Sequence, residues 1–460
     1  MGELKPYPEY KDSEVPSLGN IPSHWQMIRS GYLFREIIDT GHPDLELLSI
    51  DRFRGIIRQR DIGRKERASK DRSLYKRIQK GQLGYNLMNA FMGSIGISQY
   101  EGIISPAYAV GQPKKEMIAD YYHHLYRTQI YAAEINRYSY GIMYERNRLY
   151  YDYFKRIPVP YPPIDEQEKI VAVIHQKSRE FQNLISVKRR LIELLNERKL
   201  EIISRAMTRG LDSNVRLKPS GSEWLGDVPQ HWEIKPLKRW VNINERTLQE
   251  NTDPNYSFYY IDIGSVGTGY LINQPEKMLF SNAPSRARRM LKCGDTIIST
   301  VRTYLKAIYF ISAKIENHIA STGFAVLAPK SEVNPEYLSY LIQSNFFIDH
   351  VTANSKGVAY PAITESEMGT FYVPIPPDIN EQKEILNSIK KSITPIDEII
   401  NKIRDEIEFI LEYRTRLISD IITGKVDIRY EKITTIPVTS PNESDIVRPD
   451  DDLFSSEEDD

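Results

Sequence analysis

The chain has 460 residues, 40% hydrophobic and 27% charged, with a formal net charge of −1, the make-up of an ordinary soluble protein with room for two or three domains. No run approaches roughly 18 apolar residues, the first eleven positions contain no apolar run, and Cys293 is the one cysteine; a membrane span, a secretory signal, a disulfide framework and a cysteine-built metal site are therefore not expected, and a cytoplasmic location is. Residues 431–460 carry ten acids and two bases, a net of −8, which leaves +7 on the remaining chain, a body that a polyanion can bind.

The first readable element is Ser17-Leu18-Gly19-Asn20-Ile21-Pro22-Ser23-His24-Trp25, and it returns 207 positions later as Trp224-Leu225-Gly226-Asp227-Val228-Pro229-Gln230-His231-Trp232. Pro and Gly fix a turn and the Trp supplies a large apolar anchor, so the string pins the start of a module to its core. His24 and His231 sit beside that anchor and are read as structural, since no nucleophile or metal ligand repeats with them.

Residues 52–77 follow, crowded with Arg52, Arg54, Arg58, Arg60, Arg64, Lys65, Arg67, Lys70, Arg72, Lys76 and Arg77. The bland reading of such a run is a solvated face. Lys80-Gly81-Gln82-Leu83 then predicts a turn feeding an apolar strand, with Asn86 to Asn89 on the loop beyond it. Ser105 to Val110 alternates like a strand, and the segment around Leu125 to Gln129 has helical period. Ser139-Tyr140-Gly141-Ile142-Met143-Tyr144 and Ile157-Pro158-Val159-Pro160 close the module.

From Glu166 to Asp212 the chain predicts one long helix. Ile170, Ile174, Phe181, Leu184, Leu191, Leu195 and Ile202 fall on a 4-3 spacing, the pattern of a helix that packs along its length against another. Forty-odd helical residues span roughly 60 Å.

Each element then recurs. Lys292-Cys293-Gly294-Asp295-Thr296 repeats the Gly turn at an offset of 213, Ser321 to Val326 the alternating strand at 216, and Leu341 to Asn345 the helical segment. Ser355-Lys356-Gly357-Val358-Ala359-Tyr360 repeats the loop, and Val373-Pro374-Ile375-Pro376 leads into a second long helix, Glu381 to Asp427, at an offset of 215. The offset drifts inside the modules and is constant across the helices. The bases differ: the second module has Arg286, Arg288, Arg289 and Lys292, then Arg302 and Lys306 around Tyr304. Basic residues in the variable part of a duplicated frame suit two modules that read different ligands, because Arg forks onto guanine edges, Asn onto adenine and Lys onto phosphate.

The two helices are each other's natural partner, most simply as an antiparallel pair. Thr394-Pro395 predicts a kink, or a short helix with a restart at Pro395, since proline lacks the amide donor and disfavours helix before it. Asp378 or Asn380 is expected to cap the second helix, with Glu381 at its positive end. The tail, ending Ser-Ser-Glu-Glu-Asp-Asp, is expected to be disordered and solubilising.

Catalytic motifs are missing. Asp253-Pro254-Asn255-Tyr256 lacks the second proline of an amine-methyltransferase loop, and no Gly-rich cofactor loop follows a strand. Pro377-Asp378 with Glu381-Gln382-Lys383 mimics a metal-dependent nuclease signature but crowds it into one helix start, where capping is the better reading.

The duplicated Leu-Gly-x-[IV]-Pro-x-His-Trp string, the Gly-turn strand, Ile-Pro-x-Pro leading into Glu-Gln and a long helix, and the closing Thr208 and Thr423-Gly424 together resemble the specificity subunit of Type I restriction-modification systems, over roughly residues 7–430. The sequence departs from that pattern at Gln82, where the family usually has Asp, and at Thr208-Arg209-Gly210, which has one extra residue. The resemblance implies two target recognition domains, each reading half of a bipartite double-stranded DNA site. It also implies paired helices that set the gap, two docked methylation subunits, restriction subunits in the full complex, and no catalytic centre, cofactor or metal in this chain.

The expected fold is therefore α/β (α+β): two tandem recognition domains, 1–160 and 213–376, separated by two long antiparallel, coiled-coil-like helices in 161–212 and 377–430, with an acidic tail at 431–460. Expected DNA contacts are Arg52, Arg54, Arg58, Asn86, Asn89, Tyr140 and Tyr144 in the first domain and Arg286, Arg302, Tyr304, Lys356 and Tyr360 in the second. The competing reading is a non-enzymatic protein-protein scaffold with duplicated helical modules.

Overall fold

The computed structural model describes residues 5–52, 54–62, 71–141, 147–222, 224–312, 317–358 and 360–431. Tyr144, the bases Arg64, Lys65, Arg67 and Lys70, and the acidic tail from 432 onward lie outside the described residues. The chain forms two compact units, one holding the residues up to Val187 and those from Glu406 onward, the other Lys188–Asp405.

Both units are built on the same frame of mixed strands and helices. In the first, a four-stranded antiparallel sheet runs in the order Phe34–Ile37, Tyr108–Pro113, Leu83–Asn86, Ile95–Ile97. In the second, Val241–Ile243, Phe324–Pro329, Thr296–Ser299 and Ile308–Phe310 take the same order. The strand after the Gly turn is central in each, and its near-continuous burial fits its apolar sequence. A pair of short helices follows, Ala119–Tyr126 with Gln129–Tyr138 and Pro335–Gln343 with Asn345–Asn354. Thr128 caps one of them through Tyr131 N, and Asn334 caps another through the amides of Glu336 and Tyr337, with Pro335 just inside.

The units differ beyond this frame. The second adds a four-stranded sheet, Glu276–Leu279, Ser257–Ile261, His318–Ser321, Ala287–Met290, with one parallel pairing. The first has two hairpin-like pairs at that stage, Leu48–Asp51 with Gly55–Arg58 and Lys76–Ile78 with Gly102–Ile104.

The duplicated opening string works as anticipated: Trp25 and Trp232 are fully buried. Both histidines have a repeating partner, a finding the sequence did not reveal. His24 Nε2 lies 2.8 Å from Glu166 Oε2, and the Tyr7 hydroxyl donates to the same carboxylate. His231 Nε2 lies 3.0 Å from Glu381, which also accepts from Trp232 Nε1 at 2.8 Å. The glutamate at each helix start thus locks the lead-in of its unit, besides lying at the positive end of the helix. The adjacent glutamines, both fully buried, clamp the helix pair: Gln167 accepts from Ile118 N and donates to Pro162 O, and Gln382 accepts from Asn334 N and donates to Pro376 O. Asp378 accepts from Asn380 N at 2.9 Å, so the aspartate is the cap.

Both long helices are continuous, Ile164–Arg209 over 46 residues and Ile379–Ile422 over 44. In the first unit their segments run antiparallel: Lys169 donates to the Arg429 carbonyl, and the Phe181 ring meets Tyr413 edge-on at 5.8 Å. In the second unit Lys199 pairs with Asp397. Each core takes the start of its own helix and the end of the other one. Ile170, Ile174, Leu417 and Ile421 pack with Trp25, and Ile385, Ile389, Ile203 and Met207 pack with Trp232.

Two expectations about the helices need correction. The helix passes through Pro395 without a restart; burial of Ile393 and Ile400 on either side holds the turn, and packing of that stripe outweighs the lost donor. The strict 4-3 stripe also fails in the middle, where Leu184 and Leu191 are exposed while the neighbouring Ile185 is buried. A 3.6-residue helix drifts by about 20° per heptad against a 3.5-residue repeat, so the stripe rotates out of the seam.

Candidate nucleic-acid interface

The loop that follows the Gly-turn strand is tied, in both units, to the loop that follows the short helix pair. In the first unit Leu149 N donates to Leu87 O at 2.8 Å, and Tyr140 and Arg148 exchange both backbone bonds. In the second, Ile363 N donates to Thr300 O at 2.9 Å, and Lys356 and Ala362 exchange both bonds. The Gly turn itself repeats too. Gln82 Oε1 accepts from Gln79 N at 2.7 Å, as Asp295 Oδ2 does from Lys292 N at 2.7 Å. An amide oxygen thereby fills the place of the carboxylate, and the turn tolerates the exchange.

In the second unit this scaffold gathers the expected residues. Arg286 O accepts from Thr322 N, and Gly323 O accepts from Thr300 N, which joins the Arg286 loop to the end of the central strand. Arg302 and Lys306 both hold left-handed backbone, with φ of 51°, around the turn Thr303–Leu305, a conformation that costs on the order of 1–2 kcal/mol outside glycine and that concentrates at functional sites. Thr303 Oγ1 donates to Ser355 Oγ at 2.8 Å and the Arg302 guanidinium lies 4.8 Å over the Tyr360 ring, so the two loops present one surface. Tyr304, Leu305 and Tyr360 are exposed. Lys356 is exposed but paired with Glu367 at 2.8 Å; that hydrogen bond raises the ammonium and holds the carboxyl down to about 2.

In the first unit the gathering is partial. Arg127 joins three segments, donating to the carbonyls of Gly93 and Ile95 and to that of Arg52, each at 3.1 Å. Its burial lowers the guanidinium to about 10. Sequence reading passed over Arg127, because a lone arginine at a helix end gives no signal of what it bridges. Arg52 and Asn89 are exposed beside this junction. Tyr140, also exposed, stacks on Tyr153 at 6.2 Å. Asn86 is spent on its own turn, accepting from Met88 N at 3.0 Å. Arg54, whose side chain is 13% exposed, is held by Asp51 and the Asp61 carbonyl. Arg58 is paired with Glu46 at 3.3 Å and lies over the Tyr100 ring. These two arginines brace the hairpin of their own unit and need to let go of acidic partners before meeting a phosphate.

Among the described residues no group of three or more His, Cys, Asp or Glu side chains is placed to hold a metal ion, and no helix is long and apolar enough to cross a membrane.

Comparison with known proteins shows what this chain is similar to. Residues 229–409 match the Type I restriction modification DNA specificity domain. The chain is 24% identical over 282 residues to the Type I restriction enzyme MjaVIII specificity subunit of Methanocaldococcus jannaschii, an alignment covering 60% of this chain and 64% of that relative's length. It is 26% identical over 172 residues to the Type I restriction enzyme HindI specificity subunit of Haemophilus influenzae, covering 36% of each. A solved structure described under the complex assembly and conformational transition of the type I R-M system superposes with a TM-score of 0.56 at 13% identity, covering 88% of this chain and 99% of that one, and supports the shared fold. Residues 229–409 thus match a Type I restriction modification DNA specificity domain, and the chain is similar to curated specificity subunits of Type I restriction enzymes.

Proposed function

We propose that this chain is the DNA-reading component of its complex, with the loops of the first unit on one half of a bipartite duplex site and those of the second on the other. The observation that carries the reading is the recurrence of one loop scaffold, closed by the same backbone bonds, with different side chains: exposed Arg52, Asn89 and Tyr140 in one copy, and exposed Arg286, Tyr304 and Tyr360 with half-buried Arg302 in the other. A conserved frame with variable tips separates holding from reading. Lys356 contributes phosphate contact on exchanging Glu367 for DNA.

The two long helices set the gap between the half-sites. Leu191 and Leu194 are exposed on the part of the first long helix that belongs to the second unit, a face suited to docking a helix of a methylation subunit, two of which are expected in the complex. Restriction subunits join in the full complex. The chain is a subunit that directs chemistry and performs none; the methyl donor, ATP and magnesium belong to its partners, and its place is the cytoplasm with its DNA.

The test is duplex binding by the complex of this chain with its methylation subunits. The expected result is a log-linear fall of affinity with salt, from release of phosphate counterions, and competition by one bipartite duplex over others. Binding that ignores both salt and duplex sequence overturns the reading and favours a protein-protein scaffold.

A further inference from the structure

The loop from Ser355 to Ile363 ends in a side chain that charge chemistry leaves unused. Val358 is 104% exposed, the most exposed large hydrophobic among the described residues. An isolated surface valine needs no explanation, but the backbone beneath this one is built to present it. Lys356 and Ala362 exchange backbone bonds at 2.8 and 2.9 Å, and Ala362 also bridges to Val301. Gly357 holds φ of +115°, and a Cβ there would lie 2.9 Å from the Tyr360 carbonyl, so the turn requires glycine. The base of the loop is fastened by Ser355 to Thr303 and by Lys356 to Glu367. Val358 therefore stands at the tip of a braced hairpin, and a β-branched side chain has little rotamer freedom to lose on contact.

The sequence repeats the arrangement. Ser139-Tyr140-Gly141-Ile142 aligns with Ser355-Lys356-Gly357-Val358 at an offset of 216, so both modules place a β-branched aliphatic after the loop glycine; Ile142 lies outside the described residues. Positions flanking it change chemistry, Tyr140 against Lys356, while this one keeps its shape.

We propose that Val358 is a base-reading residue, its methyl groups packing on the C5-methyl of a thymine in the major groove of the half-site bound by the second unit. Thymine is the base whose groove edge offers an apolar group, and aliphatic contact is how proteins read it. Val358 adds this readout beside Arg302, whose guanidinium is already oriented over Tyr360.

This inference rests on the DNA-reading function proposed above, and the experiment separates the two. The complex with its methylation subunits is bound to its cognate duplex and to duplexes with deoxyuridine in place of each half-site thymine. One substitution in the half-site of the second unit is expected to weaken wild-type binding about fourfold, the factor one lost methyl burial supplies. Val358→Ala is expected to bind the thymine duplex more weakly and to lose that discrimination, with the salt slope unchanged. Equal binding of all deoxyuridine duplexes by wild type, discrimination that persists in Val358→Ala, or a half-site without thymine overturns the role of Val358 and leaves DNA reading intact. Absence of any duplex preference overturns both.

Discussion

The guanidinium of Arg302 lies 4.8 Å above the ring of Tyr360, across two loops that are 58 positions apart in sequence. A cation held over a ring is positioned before a ligand arrives, and a guanidinium favours a planar, two-pronged hydrogen-bonding partner such as a guanine edge. Arg302→Ala is expected to reduce discrimination between cognate and non-cognate duplexes by about 1–3 kcal/mol. Tyr360→Leu is expected to cost less, about 0.5–1 kcal/mol. Competition binding against single-base variants of the site checks both, and an unchanged preference in Arg302→Ala removes that residue from the reading set.

Gly424 closes the second long helix against the opening string of the first unit. Its φ is +77°, and a Cβ would lie 2.6 Å from Pro22 Cδ and 2.8 Å from Trp25 Cη2. Gly424→Ala is expected to destabilise that unit by about 2–4 kcal/mol, from backbone strain and overpacking together. Gly210→Ala meets Trp232 at an easier 3.3 Å and is expected to cost about 1–2 kcal/mol. Thermal unfolding of the two variants should show this order.

His124 is kept neutral by its surroundings: burial first, then the charges of His175, Arg127 and Arg414, lower it to about 3. Since a free histidine titrates near 6.5, the unfolded chain takes up the proton before the folded one does. The stability tied to this group is thus complete above about pH 6.5 and is lost as pH falls toward 3, by up to ~1.4 kcal/mol per pH unit. His123 shifts the same way, again chiefly through burial. Urea midpoints at pH 7 and pH 5 should differ more for wild type than for His124→Gln, and parallel shifts in both would contradict this account.

Leu191 and Leu194 are 44% and 45% exposed on the first long helix. Replacing both with Glu is expected to leave folding unchanged, because neither side chain is lost from a core, and to weaken assembly with methylation subunits. Gel filtration of the mixed subunits reads the outcome, and full complex formation by the double variant would rule this face out.

Four residues inserted between Val187 and Leu191 add about 6 Å to the helix, close to two base-pair steps. The expected result is a longer gap between unchanged half-sites, visible when methylated positions are mapped in cells. Altered half-site letters with the original gap would argue against helices that measure distance.

The sequence by itself determined the duplication, the two long helices and the likeness to Type I specificity subunits, because Gly, Pro, Trp and the Glu-Gln pair occupy positions whose backbone and packing demands admit few substitutes. Trp25 and Trp232, Gly81 and Gly294, and Gln167 and Gln382 repeat in sequence since each solves the same local problem twice. What only the tertiary structure decided are relations between distant positions. Glu166 and Glu381 became the partners of His24 and His231, Arg127 became the tie beneath Arg52, and Glu46 and Asp51 engaged arginines that look free in the sequence. Pro395 stayed helical and the leucine stripe turned outward for the same reason: local preference is worth about a kilocalorie or a few per residue, and burial against a partner that the linear chain does not name can exceed it.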